Sequence, residues 1–474
     1  MSKNFIESVL IQKLHGYKTV LLDLSESPQI FIAENGSGKT AIFKILNDFL
    51  SLDIISLKNI EFESIEVKLR ATLVSKVIKI SKADIFQCID FVEKKIKKTT
   101  LSYFSSIDFD HLFQFTTQEY ENEDFSDLVD HYIVDYLFRN TPMHLPEINM
   151  VFEELSLNIK KIISSKENPL FDFYQEVYKL NKKVEVNYLP TYRRIELPHK
   201  TLSVRDNLNN EEKKIISHKD YSKHMHFGLL DILDRIKEIH KEMNKNIFRG
   251  FINLSNNYIK QTLNNNITYK NSTLPELSDI EKLLKKSSSD YEETMVLLEE
   301  AYNSESVLEN KNLMIFLNQI NEIIKKNSYF EKKIRGFVDS INEFLCISGE
   351  EKYLNFNTEN FEVLVKLKFN DQTISFDDLS SGEKQIIGLL GSIYLSNKPQ
   401  IILIDEPEIS LSIKWQRILL PALVEANPYN QIICITHSPF IFENSFDKHA
   451  LPLYMKKELN SFKRENSENI GISK

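Results

Sequence analysis

The chain has 474 residues, 42% hydrophobic and 27% charged, with 31 Phe and 19 Tyr; this length and apolar content predict a core domain plus a second body and exclude global disorder. A formal net charge of -9 argues against wholesale nucleic-acid binding, leaving a local basic groove as the route to such a partner. Cys88, Cys346 and Cys434 form no C-x-x-C pair, and neither a signal-like start nor a run of eighteen apolar residues occurs, so a disulfide framework, a paired-cysteine zinc site and a membrane span are not indicated and a cytoplasmic protein is expected.

Residues 1–90 alternate short apolar runs with turns and read as a strand-rich lobe. Within it Ile30-Phe31-Ile32 leads into Ala33-Glu34-Asn35-Gly36-Ser37-Gly38-Lys39-Thr40, and Ile42, Ile45 and Leu46 then open a helical pattern. Strand, glycine loop and helix in that order are the context of a phosphate-binding loop. Gly36 and Gly38 let backbone N–H groups curl around phosphate oxygens, with Asn35 and Ser37 in the same loop. Lys39 would reach the β and γ phosphates, and the Thr40 hydroxyl suits Mg²⁺. Ala33 stands where the pattern asks for glycine, so the match is a near one.

Residues 91–182 place Phe, Leu and Ile on a Lys/Asp/Glu background with few glycines, which predicts a helical insertion. Val184 to Leu189, ended by Pro190, reads as a strand returning to the core in a segment, 183–200, that also carries the basic turn Arg193-Arg194. Between 201 and 345, Leu229, Ile232, Ile236, Ile239 and Met243 recur at spacings of three and four, as do Phe330, Ile334, Phe337, Ile341 and Phe344. The two stretches predict a helical hairpin, and a helix of about thirty residues spans only about 45 Å, a short prong. The core resumes over 346–455, where Ile401 to Ile404 and Ile432 to Ile435 have the continuity of buried parallel strands, and a polar, Lys-rich tail fills 456–474.

Chemistry-bearing residues cluster in this last part. Ile401 to Ile404 runs into Asp405-Glu406-Pro407-Glu408, a strand end that can aim Asp405 at a metal and Glu406 at a water. Leu379-Ser380-Ser381-Gly382-Glu383 opens a helix through Ile386, Ile387, Leu389 and Leu390. Ser380 or Ser381 caps that helix, and its N-terminus also suits an anion approached from outside. His437 follows the last apolar strand, where it serves either as a structural residue or as a sensor donating to a γ-phosphate.

Together AENGSGKT, LSSGEKQ, IDEPEISL and ITHSP resemble, in this order, the Walker A, signature, Walker B and switch-histidine motifs of ABC ATPases of the SMC/RecF/OLD (overcoming-lysogenization-defect) group. The resemblance covers about 1–90 and 345–445; the middle matches as a helical insertion containing YLPTYRRIE. It implies an α/β fold, an ABC-type P-loop ATPase head with a helical or short coiled-coil insertion, with ATP and Mg²⁺ as cofactors. It further implies a dimer in which Ser381 and Gly382 of one subunit complete the ATP site of the other, with Ile409-Ser410-Leu411-Ser412 as the linking D-loop. Many relatives carry His-Pro where this chain has Ser412-Ile413. Gln87, Gln114 and Gln118 are candidates for the glutamine loop, Gln87 first, while Arg193 and Arg194 could meet nucleotide, nucleic acid or partner carboxylates, or be plain surface arginines.

The motif set further resembles the ATPase subunits of the PARIS, Septu and retron anti-phage systems, which implies a nucleotide-gated protein that is at least dimeric, controls a separate effector, a nuclease, and answers a phage-encoded trigger. With 37 residues after His437, the nuclease is expected in trans. The alternative is a RecF- or SMC-like DNA clamp, for which Lys94-Lys95-Ile96-Lys97-Lys98 and Lys332-Lys333-Ile334-Arg335 are candidate groove residues, with solvated helix faces as their default reading. A membrane-transporter subunit ranks last, because of the large helical insertion.

Overall fold

The computed structural model describes residues 4–33, 38–70, 74–96, 109–110, 113, 144–190, 229–264, 274–285, 291–304, 306–349, 351–358 and 360–457. Strands β1 (Ile6–Leu14) and β2 (Lys18–Asp23) form a hairpin, and β3 (Gln29–Ile32) leads to α1 (Lys39–Leu50) and α2 (Ile54–Asn59). Next come β4 (Ser64–Leu69), β5 (Lys76–Ser81), α3 (Lys82–Lys95), α4 (Leu145–Ile163), α5 (Phe171–Asn181) and β6 (Glu185–Leu189). The helices α6 (Leu229–Asn264), α7 (Leu277–Lys285), α8 (Tyr291–Asn303), α9 (Ser306–Glu309) and α10 (Lys311–Ser348) follow. The chain closes with β7 (Lys352–Asn357), β8 (Glu362–Leu367), β9 (Thr373–Ile374), α11 (Ser381–Tyr394), β10 (Gln400–Asp405), α12 (Ile413–Ala426), β11 (Gln431–Thr436), β12 (Ala450–Pro452) and β13 (Tyr454–Lys457).

A parallel sheet of order β12-β3-β11-β10-β6 forms the centre. Its register pairs Thr436 with Ile32 and Asp405 with Ile435, so the carboxyl ends of β3, β11 and β10 finish side by side although they come from opposite ends of the sequence. Loops at that edge are where an open α/β sheet holds ligands. Both faces of the sheet are covered, and strand alternation divides its residues between two cores. Ile401, Leu403, Ile433 and Ile435 face a core shared with α1 and the antiparallel sheet β13-β2-β1-β4-β5. Ile402, Ile404, Ile432 and Cys434 face a second core built with α11, α12 and the roots of α6 and α10.

In the second core Leu229 to Met243 packs against Phe330 to Leu345, while further out Leu254 shares a third core with Leu317 to Ile323, so α6 and α10 run antiparallel as a hairpin of about 55 Å. The third core is completed by α7, α8 and α9, making a helical cluster at the prong's far end. At its root α10 touches both α11 and α12, and the indole N–H of Trp415 on α12 donates to the Phe344 carbonyl at 2.7 Å. Helices α3, α4 and α5 belong to the first core, with α3 running from Lys82 across the 90/91 boundary. β13 takes in Lys456 and Lys457 from the stretch read as a tail and pairs with β2.

Candidate active site

Helix α1 begins where β3 ends. Gly38, its N-cap, has φ +97, a backbone conformation that L side chains rarely adopt, and this turn aims Lys39 and Thr40 at the carboxyl edge of the sheet. Asn35, Gly36 and Ser37 lie outside the described residues. Lys39 is 6% exposed; its Nζ donates to Glu406 Oε1 at 2.7 Å and to His437 Nε2, which itself stands 3.4 Å from Glu406 Oε1. The Thr40 hydroxyl donates to Asp405 Oδ2 at 2.8 Å, bridging 365 positions of sequence.

Asp405 is 0% exposed, and its second oxygen, Oδ1, has no hydrogen-bond partner among the described residues. A buried carboxylate oxygen left open beside a threonine hydroxyl is a hard-oxygen donor set, and it fits Mg²⁺. The neighbouring Tyr188 on β6 has its phenol pushed above the ordinary value, first by burial and then by the Asp405 and Asp48 carboxylates, so it stays protonated. Its ring meets Phe43 of α1 edge-on.

Glu406 has φ 51 and Ser410 φ 63, left-handed conformations that cost on the order of 1 kcal/mol each outside glycine. The Glu406 backbone is held by its N–H donating to the Ile435 carbonyl at 2.9 Å, and its side chain by Lys39. Glu408 points the other way. Its Oε2 accepts from the Thr436 hydroxyl at 2.7 Å, and its Oε1 accepts from the backbone N–H groups of His437 and Ser438 at 2.8 and 3.2 Å.

The helix N-terminus expected at Ser380 to Gly382 is built as a capping box: Ser380 N–H donates to Glu383 Oε2 at 2.5 Å and Glu383 N–H to Ser380 Oγ at 3.3 Å. Glu383 is buried and paired with Lys352 on β7 at 3.1 Å. Ser381 is exposed, and Ser380 uses its hydrogen bonds within its own turn. Gly382 packs on Ser410, where an added Cβ would stand 2.6 Å from the Ser410 carbonyl oxygen. Ser412 caps α12 by accepting from Trp415 N–H.

Glu408, Tyr188, Lys352 and Gln416 escaped the sequence reading as functional residues. So did His15 and Lys18, whose Nε2 and Nζ each lie 3.9 Å from a Cβ built on Gly38. A buried lysine in a strand carries no signal of its place beside Gly38. Gln87 lies exposed on α3, while Gln114, Gln118, Arg193 and Arg194 lie outside the described residues. In the basic patches Lys94 pairs with Asp90, Lys95 with Glu167 and Arg335 with Glu331, so these cations face carboxylates. Lys97 and Lys98 lie outside the described residues.

The family described as "AAA domain, putative AbiEii toxin, Type IV TA system" matches residues 207–443, a span that includes the α11 N-terminus, Asp405, Glu406 and His437. The chain belongs to this family. It is therefore a P-loop ATPase-type protein, and Lys39 and Thr40, which precede the matched span, contact Glu406, His437 and Asp405 within it. Similar solved structures include the Smc head domain of Pyrococcus furiosus with an extended coiled coil bound to the C-terminal domain of ScpA, at 14% identity over 96% of each chain with a TM-score of 0.36. An SmcHead bound to the C-winged helix domain of ScpA is similar at 12% identity over 92% of this chain and 91% of that one, with a TM-score of 0.37. No curated protein matches the chain. Among the described residues no helix is long and apolar enough to cross a membrane.

Proposed function

We propose that the chain binds and hydrolyses ATP as a dimer at minimum, and that its nucleotide state controls a separate effector, a nuclease, in anti-phage defence. The observation that carries the catalytic part is the convergence of Lys39, Glu406 and His437 on one point beside the Thr40–Asp405 pair. In this reading Lys39 holds the β and γ phosphates, and Glu406 orients a water and takes its proton as the water oxygen bonds to the γ-phosphorus and the bond to the β-phosphate oxygen breaks, leaving ADP and phosphate. His437 donates to the γ-phosphate. Thr40 and Asp405 would hold Mg²⁺, which neutralises phosphate charge when bound.

Ser381 and Gly382 act on the site of a second copy, an assignment supported by the exposure of Ser381 and by Ile409, the first residue of the D-loop, and Ile413, just after it, with 40% and 51% of their surface exposed. Effector control draws on the family's description, "putative AbiEii toxin, Type IV TA system". The pairing of Lys94, Lys95 and Arg335 with carboxylates supports it against DNA clamping.

Glu406→Gln is expected to retain ATP binding, accumulate closed dimers and lose turnover by about 100-fold or more, while Lys39→Ala loses ATP binding. Undiminished hydrolysis by Glu406→Gln would overturn the assignment of the base. Duplex DNA shifted at physiological salt only with ATP would favour a clamp instead.

A further inference from the structure

Glu408 has no part in the proposed chemistry, yet its carboxylate is committed to the segment that carries His437. Three donors reach it: the Thr436 hydroxyl at 2.7 Å and the His437 and Ser438 N–H groups at 2.8 and 3.2 Å. A neutral amide accepts less strongly than a carboxylate and would turn its own N–H₂ toward some of these donors, so a side chain with two acceptor oxygens suits this set of donors. Gln416 adds a second tie, accepting from Ser438 Oγ at 2.6 Å and donating to the Leu411 carbonyl at 2.9 Å and the Glu408 carbonyl at 3.4 Å. The turn after β11 is thus fastened to residues 408–411, which continue directly from Glu406.

Those same residues meet the signature helix on their other side, since the Ser410 carbonyl oxygen lies 2.6 Å from a Cβ built on Gly382, and Ser410 holds a left-handed backbone. A displacement of α11 would therefore press on the 408–411 turn, and the Glu408 carboxylate links that turn to the His437 segment. We propose that Glu408 is a positioning residue that couples the signature/D-loop contact to the switch histidine within one subunit, with Gln416 as its auxiliary. This rests on the assignment of Lys39, Glu406 and His437 as the hydrolytic site.

The test uses the full chain, ATP and a double-mutant cycle. Glu408→Ala and Glu408→Gln are each expected to lower kcat about 10-fold while KM and ATP affinity stay within about 2-fold, because the acceptor for the His437 segment is lost and the phosphate contacts of Lys39 are not. In a His437→Ala background the same changes are expected to cost little more, since a residue acting through His437 has nothing left to position. Gln416→Ala, which removes a neutral tie, is expected to show the same non-additivity with a loss of about 3-fold and supplies the measurement if a Glu408 variant does not fold. Losses that multiply with that of His437→Ala, or kcat unchanged in folded Glu408→Ala, overturn the coupling. A wild-type chain that fails to hydrolyse ATP overturns the site assignment and the coupling with it, whereas active wild type and inactive His437→Ala beside active Glu408→Ala overturn the coupling alone.

Discussion

Gly382 is fixed by what faces it. A Cβ there meets a backbone carbonyl at 2.6 Å and the Trp415 ring at 3.4 Å, so relief requires α11 or the D-loop to shift. Gly382→Ala is expected to destabilise the fold by about 1–3 kcal/mol in denaturant melts and to cut turnover as well. Glu7 is a purely structural case. Hydrogen bonds from Lys68 and Ser75, with the Arg70 charge, hold its carboxyl below the ordinary 4.5, so it contributes stability that is full above that value and lost as pH falls through the lowered one. Glu7→Gln should melt below wild type at pH 7, with the gap closing as pH falls through the lowered value of Glu7; a gap that persisted in acid would assign the effect to packing. At this scale Lys39, Thr40, Asp405, Glu406 and His437 were legible in the sequence because each sits in a local motif. Glu408 and Gln416 were not, since their partners lie across the fold, Glu408 reaching 28 to 30 positions away.

The central sheet illustrates why some elements announce themselves. β10 and β11 are buried on every residue, and such strands read as unbroken apolar runs. β12 and β13 are short edge strands whose place is secured by backbone pairing with β3 and β2, and Lys456 and Lys457 on an edge look like a solvated tail in sequence. The prong was readable from its spacing of three and four, but its docking was not. Gly391 lets α6 approach, a Cβ there meeting Ile232 Cδ1 at 2.6 Å, and Trp415 ties α12 to the end of α10. Trp415→Phe keeps an aromatic ring but leaves the Phe344 carbonyl without its donor, and is expected to lower unfolding free energy by about 1–2 kcal/mol in urea melts. An unchanged midpoint would mean that water replaces the indole.

At the scale of the molecule, the parallel sheet divides two cores, one carrying α1 and the other α11 and the root of the prong. The prong's far end has a core of its own and joins the site through both its helices, α6, which packs on α11, and α10, which contacts α11 and α12. Lys39, Thr40, Asp405, Glu406 and His437 meet within one chain, and Ser381 is exposed, where the proposed second copy would meet it. Mixing two inactive variants tests this arrangement directly. Lys39→Ala removes the phosphate lysine and Ser381→Arg blocks the signature, so a mixed dimer contains one site with both parts intact. ATP hydrolysis is expected to be absent from each variant alone and to return in the equimolar mixture to about a quarter of the wild-type rate, the share of intact sites when subunits pair at random. Full activity in Ser381→Arg alone, or no recovery in a mixture shown to contain mixed dimers, would contradict a site shared between two copies.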